Sequence, residues 1–140
     1  MRRDDVPPDS ATALEQAIDF YNDAWNRHDL DAIASLHAPD FVFENHTAGE
    51  RAMGQAAIDH IATIFKNWPD LAFRVRRLYV REALVVNEWT ATATHPDGRV
   101  LEWDGVDVFP FEDGLIRRKD VYSGALNPRV IGRASGESES

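Results

Sequence analysis

The 140-residue sequence contains no cysteine. Disulfide bonds, thiolate nucleophiles and cysteine-based zinc sites are therefore excluded, and we expect any catalysis to use oxygen or imidazole groups. Motifs for a serine nucleophile elbow, a phosphate loop or a dinucleotide fold are also missing. The histidines lack the spacing of metal sites, so we expect neither a metal ion nor a cofactor. They are His28, His37, His46, His60 and His95.

Positive charge is scarce, with 15 Lys and Arg against 24 Asp and Glu and a net charge of −9. An acidic surface repels phosphate backbones and anionic lipids, so neither nucleic acid nor a membrane is an expected partner. No apolar run reaches the length of a membrane span, and residues 1–10 lack the apolar core of a signal peptide. We therefore expect a cytoplasmic protein.

The first part of the chain has the apolar spacing of helices. Ser10 or Thr12 can cap the first helix, and Glu15 completes a capping box with Thr12. The apolar positions of this helix are Leu14, Ala17, Ile18, Tyr21 and Trp25. In "DLDAIASLHAPD", Asp29 caps a second, short helix and Pro39 ends it. These two segments predict a helical hairpin.

The remainder of the chain is dominated by strand patterns. "FVFEN" predicts a short strand, and a third helix after it has apolar residues on one face. The segments "LAFRVRRLYV", "ALVVNEWTATAT", "VLEWDGVDVFPF" and "GLIRRKDVYS" then predict four strands joined by short turns. Helices followed by a meander of strands predict an α+β fold, in which the helices cover one face of a curved antiparallel sheet.

The length and the 44% hydrophobic content suit one domain with a substantial core. We place this domain at residues 11–126. Residues 1–10 and 127–140 are polar or rich in small residues, and we expect them to be flexible.

Two carboxylates occur within strands that should be partly buried. In "DGVDVFPFEDGLIRRKDVYSG", strand periodicity places Asp107 on the same face as Trp103 and two phenylalanines. The same periodicity places Asp120 with Ile116 and Tyr122. A carboxyl group among aromatic rings loses hydration mainly when it is ionised, so the pKa of Asp107 should rise.

The segment at residues 21–45, "YNDAWNRHDLDAIASLHAPDFVFEN", followed by four strands, resembles the nuclear-transport-factor-2-like superfamily. Within that superfamily, the chain is similar to SnoaL-like polyketide cyclases and ketosteroid isomerases over roughly residues 12–124. The resemblance implies a cone-shaped sheet wrapped around the helices, with an apolar pocket at its open end. It also implies a homodimer formed through the outer face of the sheet.

The resemblance implies roles for individual residues. Tyr21, ahead of "DLD", and Asp107, in "DVFPF", match the two oxyanion donors of ketosteroid isomerases. Asn45 stands where those isomerases have a proton-shuttling aspartate. Asp120 matches the acidic residue on the last strand of SnoaL-like cyclases, and the resemblance implies that it is the base that abstracts or delivers the proton. His46, beside Asn45, is an alternative base. The remaining residues expected to contact the substrate are Trp89, Trp103, Phe109 and Tyr122.

Structural roles are the alternative for each of these residues. Asp107 could bond a backbone amide or an arginine, and Tyr21 could be a packing residue with a satisfied hydroxyl. Asp120 could pair with one of the basic residues before it in the strand. His46 could be a solvent-facing loop residue.

These observations favour a cofactor-free SnoaL-like enzyme that performs acid–base chemistry on a small, mostly apolar carbonyl compound. The reaction would be an isomerisation, an aldol-type cyclisation or a dehydration. One alternative is a ligand-binding or dimerisation module without turnover. Another is a limonene-type epoxide hydrolase, which requires an arginine and a second aspartate where this chain has Glu88 and Thr90.

Overall fold

The computed structural model describes residues 6–134, which form three helices and seven strands within that range. Helix α1 (Ala11–Asn26) begins after Ser10, whose hydroxyl accepts a hydrogen bond from the Ala13 amide. Helix α2 (Leu30–Ser35) begins after Asp29, whose carboxylate accepts from the Ala32 amide. Side-chain oxygens thus satisfy amides that the first turn of a helix leaves unpaired.

The strands form a single sheet in the order β2-β1-β6-β5-β4-β3, with β7 paired to β5. The pair β1 and β6 is parallel, and the other pairs are antiparallel. The α+β fold is confirmed, but the sheet is mixed rather than purely antiparallel. Its strands are β1 (His37–Asn45), β2 (Glu50–Met53), β3 (Ala72–Arg81), β4 (Leu84–Thr94), β5 (Arg99–Glu112), β6 (Leu115–Ser123) and β7 (Arg129–Arg133).

The core lies between the helices and the inner face of the curved sheet. Helix α1 packs on β3 and β4, and α3 (Gln55–Asn67) packs on β1 and β2. The buried residues of α1 include Leu14 and Ile18, as their spacing predicts, and Ile61 and Phe65 are buried in α3. Helices therefore cover the inner face, where buried side chains of the central strands meet them.

Strand β6 contains a bulge that decides which of its side chains face the core. Opposite β5, Ile116 pairs with Phe111 and Asp120 pairs with Val108. Four steps along β6 therefore match three along β5, so β6 carries one extra residue. An extra residue reverses the facing of every later side chain. Lys119 consequently joins Ile116 in the buried set.

The two ends of the described range pack against the domain. Asp9 accepts hydrogen bonds from the amides of Asp113 and Gly114. Strand β7 forms within the segment predicted to be a flexible tail. Residues 1–5 and 135–140, the outer parts of the predicted flexible ends, lie outside the described residues. Among the helices that the structure describes, none has the length and apolar character needed to cross a membrane.

Gly105 provides the space in which the Trp89 ring lies. The two residues are directly opposite each other on β5 and β4. A Cβ atom at Gly105 would overlap the indole ring of Trp89, which is buried. A glycine is therefore required at this position because an aromatic side chain packs directly on its backbone.

We expect Gly105→Ala to displace Trp89 and to lower the free energy of unfolding by about 1–3 kcal/mol, the usual cost of overpacking. Gly132→Ala is the matched control, because a Cβ atom at Gly132, also in a strand, has no neighbour within 4 Å. Urea denaturation of both variants measures the effect. Equal stabilities for the two variants would show that the ring has room to move.

Candidate active site

A cavity of about 300 Å³ lies between the helices and the inner face of the sheet. This volume is at the small end of the range for ligand sites. Exposed residues such as Glu50, Asn67 and Ala125 lie on its wall and connect it to solvent. Six aromatic side chains account for much of the lining. They are Trp25, Phe43, Trp68, Phe73, Trp89 and Trp103.

A buried pair of opposite charges, Asp107 and Lys119, lies on the wall of this cavity. The Lys119 Nζ atom is 3.9 Å from Asp107 Oδ2, and both side chains are at most 7% exposed. Nζ also lies 3.7 Å from the centroid of the Trp25 ring, with the Tyr21 and Phe109 rings at 5.2 and 5.6 Å. Aromatic faces attract a cation that is removed from water. The lysine is thus held by one carboxylate and a surrounding set of rings.

Burial moves the pKa values of both groups toward the neutral range. It raises the pKa of Asp107, while the charge of Lys119 and the nearby Trp89 and Asn87 side chains oppose the shift. It also lowers the pKa of Lys119 to about 8, although Asp107 partly offsets this change. The burial of Asp107 in the structure thus supports the predicted rise of its pKa. Two groups with converging pKa values in one cavity are suited to proton transfer.

Four buried polar atoms on the cavity wall have no hydrogen-bond partner among residues 6–134. They are Trp25 Nε1, Trp89 Nε1, Asp107 Oδ1 and His60 Nε2, the last of which lies 3.3 Å from a Glu50 carboxylate oxygen. An unpaired buried donor or acceptor costs stability. The two indole donors and the Asp107 acceptor are thus available to a ligand with polar oxygens.

Tyr21 does not line the cavity. It is fully buried behind Lys119, and its hydroxyl shares a 2.9 Å hydrogen bond with His37 Nε2. Burial raises the pKa of Tyr21. Burial, together with the charge of Lys119, lowers the pKa of His37 to about 3, so the imidazole is neutral at physiological pH. The structure therefore places Tyr21 near Asp107 but occupies its hydroxyl with a histidine.

Asp120 lies on the opposite face of the sheet, so the prediction that it points inward is wrong. The bulge in β6 is the reason, because it turns Lys119 inward and Asp120 outward. The Asp120 carboxylate accepts hydrogen bonds from Arg118 at 2.7 and 3.1 Å and lies 2.8 Å from His46 Nε2. Arg118 is the main cause of a lowered pKa for Asp120, with desolvation opposing it.

His46 and Tyr122 are also on that outer face. Their rings stack with centroids 4.3 Å apart, and Tyr122 is exposed. Ligand atoms of Glu44, His46 and Asp120 lie within 4.8 Å of one another, an arrangement that could hold a metal ion. Arg118 already bridges Glu44 and Asp120, however, and its guanidinium occupies the position of a cation. This outer-face network links β1 to β6.

Of the other residues predicted to contact the substrate, some line the cavity and one does not. Asn45, Trp89 and Trp103 line the cavity, whereas Phe109 is completely buried beside Lys119 and does not reach its surface. The Asn45 side-chain oxygen accepts from the amides of Thr47 and Ala48, so it stabilises the turn after β1. The structure brings Asp107, Asn45 and the two tryptophans together, and separates them from Asp120, His46 and Tyr122.

Lys119 is the site residue that sequence reasoning missed. We expected oxygen or imidazole chemistry, and regular strand alternation counted from Ile116 turns Lys119 outward. A signal was nevertheless present, because alternation counted backward from the apolar Val121 gives the correct inward direction. The two counts disagree only if a bulge lies between them.

The family model for the SnoaL-like domain matches residues 17–119, which contain the cavity-lining pair. The chain belongs to the SnoaL-like family. No curated protein sequence matches the chain. The predicted membership of the nuclear-transport-factor-2-like superfamily is thereby confirmed, and the fold of this SnoaL-like protein is shared by many solved structures.

Three of these structures illustrate the shared fold. AclR, a candidate hydroxylase from Streptomyces galilaeus, is 24% identical, with a TM-score of 0.72 over 81% of this chain and 80% of AclR. IdmH, a candidate polyketide cyclase from Streptomyces antibioticus, is 20% identical, with a TM-score of 0.72 over 80% and 92%. TerC, co-crystallised with polyporic acid, is 19% identical, with a TM-score of 0.71 over 79% and 91%.

We expect Tyr21→Phe to lower the free energy of unfolding by about 1–3 kcal/mol, because it leaves His37 Nε2 buried without a partner. Ligand affinity should stay unchanged, because the hydroxyl does not reach the cavity. Tyr79→Phe, at an exposed tyrosine, is the control and should be neutral within about 0.5 kcal/mol. Intact stability with weakened binding would instead restore the predicted oxyanion role of Tyr21.

We expect the double variant Asp107→Leu/Lys119→Met to be more stable than the wild type by about 1–4 kcal/mol, because apolar residues avoid the desolvation cost of a buried ion pair. Asp107→Leu alone should be less stable than the wild type, because Lys119 loses its partner. Urea denaturation gives all three values. A double variant less stable than the wild type would mean that the pair is retained for folding.

Proposed function

We propose that this SnoaL-like protein binds a small, mostly apolar carbonyl compound and performs acid–base chemistry on it with Asp107 and Lys119. The observation that carries the proposal is the burial of these two groups together on the wall of an aromatic cavity. Buried ion pairs contribute little to stability. Perturbed titratable groups in a cavity are typical of catalytic sites.

The geometry suits removal of a proton next to the carbonyl group. Asp107 acts as the base, because its raised pKa makes its carboxylate a stronger proton acceptor. The Lys119 ammonium stabilises the enolate oxygen, and the unpaired indole N–H groups of Trp25 and Trp89 are further donors. This arrangement assigns to Asp107 the role of base that the sequence predicted for Asp120.

The family supports an organic ligand for the cavity. IdmH is named as a candidate polyketide cyclase, and TerC was crystallised with polyporic acid. Both proteins share this fold. For the present chain, a ring-containing ketone would fit the aromatic walls and would present an oxygen to Lys119. Proton transfer at such a ketone would lead to isomerisation, aldol-type cyclisation or dehydration.

Binding without turnover is a second candidate, and the unpaired indole donors favour it, because a bound oxygen would satisfy them without any reaction. The epoxide-hydrolase alternative has less support. Glu88 pairs with Arg77 at 2.8 Å and the Thr90 hydroxyl donates to Asp104, so neither is free to act. Among the described residues that line the cavity, none is an arginine.

The exchange of ketone α-protons with deuterium, followed by NMR, tests the proposal without knowledge of the natural substrate. With 2-tetralone as the probe, the wild type should accelerate exchange, and Asp107→Asn should lower the enzymatic rate at least about 100-fold, because it removes the base. Asp120→Asn is the matched control on the outer face and should exchange at the wild-type rate.

The outcomes of this experiment separate the candidate functions. Binding of 2-tetralone, measured by quenching of tryptophan fluorescence, without accelerated exchange would favour the non-catalytic module. Loss of exchange in Asp120→Asn, with Asp107→Asn unaffected, would reverse the assignment of the two carboxylates.

A further inference from the structure

Lysine is rare in this protein, and its two lysines occupy opposite environments. The sequence has thirteen arginines but only Lys66 and Lys119. Lys66 is exposed in the last turn of α3, whereas Lys119 is buried on the cavity wall. Arginine stays protonated in proteins, whereas lysine can lose its proton. The basic residue on the cavity wall, Lys119, is thus of the type whose nitrogen can become a nucleophile.

The surroundings of the Lys119 amine leave its nitrogen accessible to a ligand. Its ionic partner among the described residues, Asp107, is 3.9 Å away, which is longer than a hydrogen bond. Its other close neighbours are aromatic rings, which do not accept a conventional hydrogen bond from a neutral amine. Lys119 is also among the residues that line the cavity. A carbonyl group bound there would therefore meet an amine whose lone pair is not engaged by the protein.

We propose that Lys119 forms a covalent imine with an aldehyde or ketone bound in this cavity. The inference rests on the proposed function for the identity of the ligand class, and it adds a covalent step that acid–base chemistry alone does not need. Desolvation in an apolar pocket is a known means of activating a lysine for this reaction.

The reaction is balanced by the two groups already present. The neutral Lys119 nitrogen forms a bond to the carbonyl carbon, and one of its protons moves to the carbonyl oxygen. The Asp107 carboxylic acid then gives a second proton to that oxygen, which leaves as water while the carbon–nitrogen double bond forms. The products are a protonated imine, one water molecule and the Asp107 carboxylate. No oxidant or reductant is consumed.

The site would also stabilise the product of this reaction. The protonated imine carries the same single positive charge as the ammonium, so it keeps the attraction of the Trp25 ring and of Asp107. The adjacent Asp107 carboxylate can then remove the α-proton of the adduct and give an enamine. A protonated imine is a stronger electron acceptor than a ketone, so the covalent step would accelerate the same proton transfer.

Reductive trapping tests the imine directly. The protein is incubated with 2-naphthaldehyde or benzaldehyde and sodium cyanoborohydride, which reduces an imine to a stable secondary amine, and peptides are mapped by mass spectrometry. Lys119 should be labelled at least ten times faster than the internal reference Lys66.

Matched variants locate the reaction. Lys119→Arg keeps the charge but should abolish the cavity label, whereas Lys66→Arg should leave labelling of Lys119 unchanged. Asp107→Asn should slow it several-fold, because the acid that expels water is lost. An excess of 2-naphthalenemethanol, which lacks the carbonyl group, should protect Lys119 and leave labelling of Lys66 unaffected.

The result separates this inference from the proposed function. If Lys66 is labelled as fast as Lys119 with both aldehydes, the imine is refuted, and deuterium exchange into 2-tetralone still decides the acid–base proposal. If Lys119 is labelled selectively but Asp107→Asn leaves the exchange unchanged, the imine stands and the acid–base assignment fails.

Discussion

The buried contact between Asp107 and Lys119 is the constraint on which the arrangement of this domain depends. Two charges removed from water are costly unless they are paired and surrounded by favourable groups. Here the carboxylate comes from β5 and the ammonium from β6, so the register between these strands must be held within one residue. The position of Trp25 on α1 must also be fixed, because its ring packs on the lysine. The helix, the two strands and the cavity are thus coupled through one ion pair.

The outer face of the sheet holds that register. Arg118 and Asp120 flank Lys119 in β6, and their side chains join Glu44 of β1 and His46, the residue after β1, in a network of short contacts. Consecutive residues of β6 therefore have different roles. The Lys119 side chain lines the cavity, whereas Arg118 and Asp120 connect β6 to its parallel neighbour β1. The stacked ring of Tyr122 extends the network to the end of β6.

Much of the fold could be predicted from local patterns. Helix α1 follows from its apolar spacing and from the cap at Ser10, and the burial of Asp107 follows from the alternation around Phe109. The inward direction of Lys119 was missed, because alternation counted from Ile116 and from Val121 gives opposite directions for it, and only the pairing between strands shows where the bulge lies. The hydrogen bond between Tyr21 and His37 was missed for a similar reason. Helical spacing predicts that Tyr21 is buried, but it does not predict which residue bonds to its hydroxyl.

The bulge in β6 has a consequence for how such domains diverge. Lysine and aspartate are adjacent there, at positions 119 and 120, and the one extra residue before them decides which of the two enters the cavity. Deletion of a single residue between Ile116 and Lys119 would remove the bulge and keep Lys119 inward, whereas regular alternation through the present sequence would turn Asp120 inward and place a second carboxylate among the aromatic rings. The chemical character of the cavity is thus set by the bulge as well as by residue identity. An alignment without a gap at this point would equate residues that lie on opposite sides of the sheet.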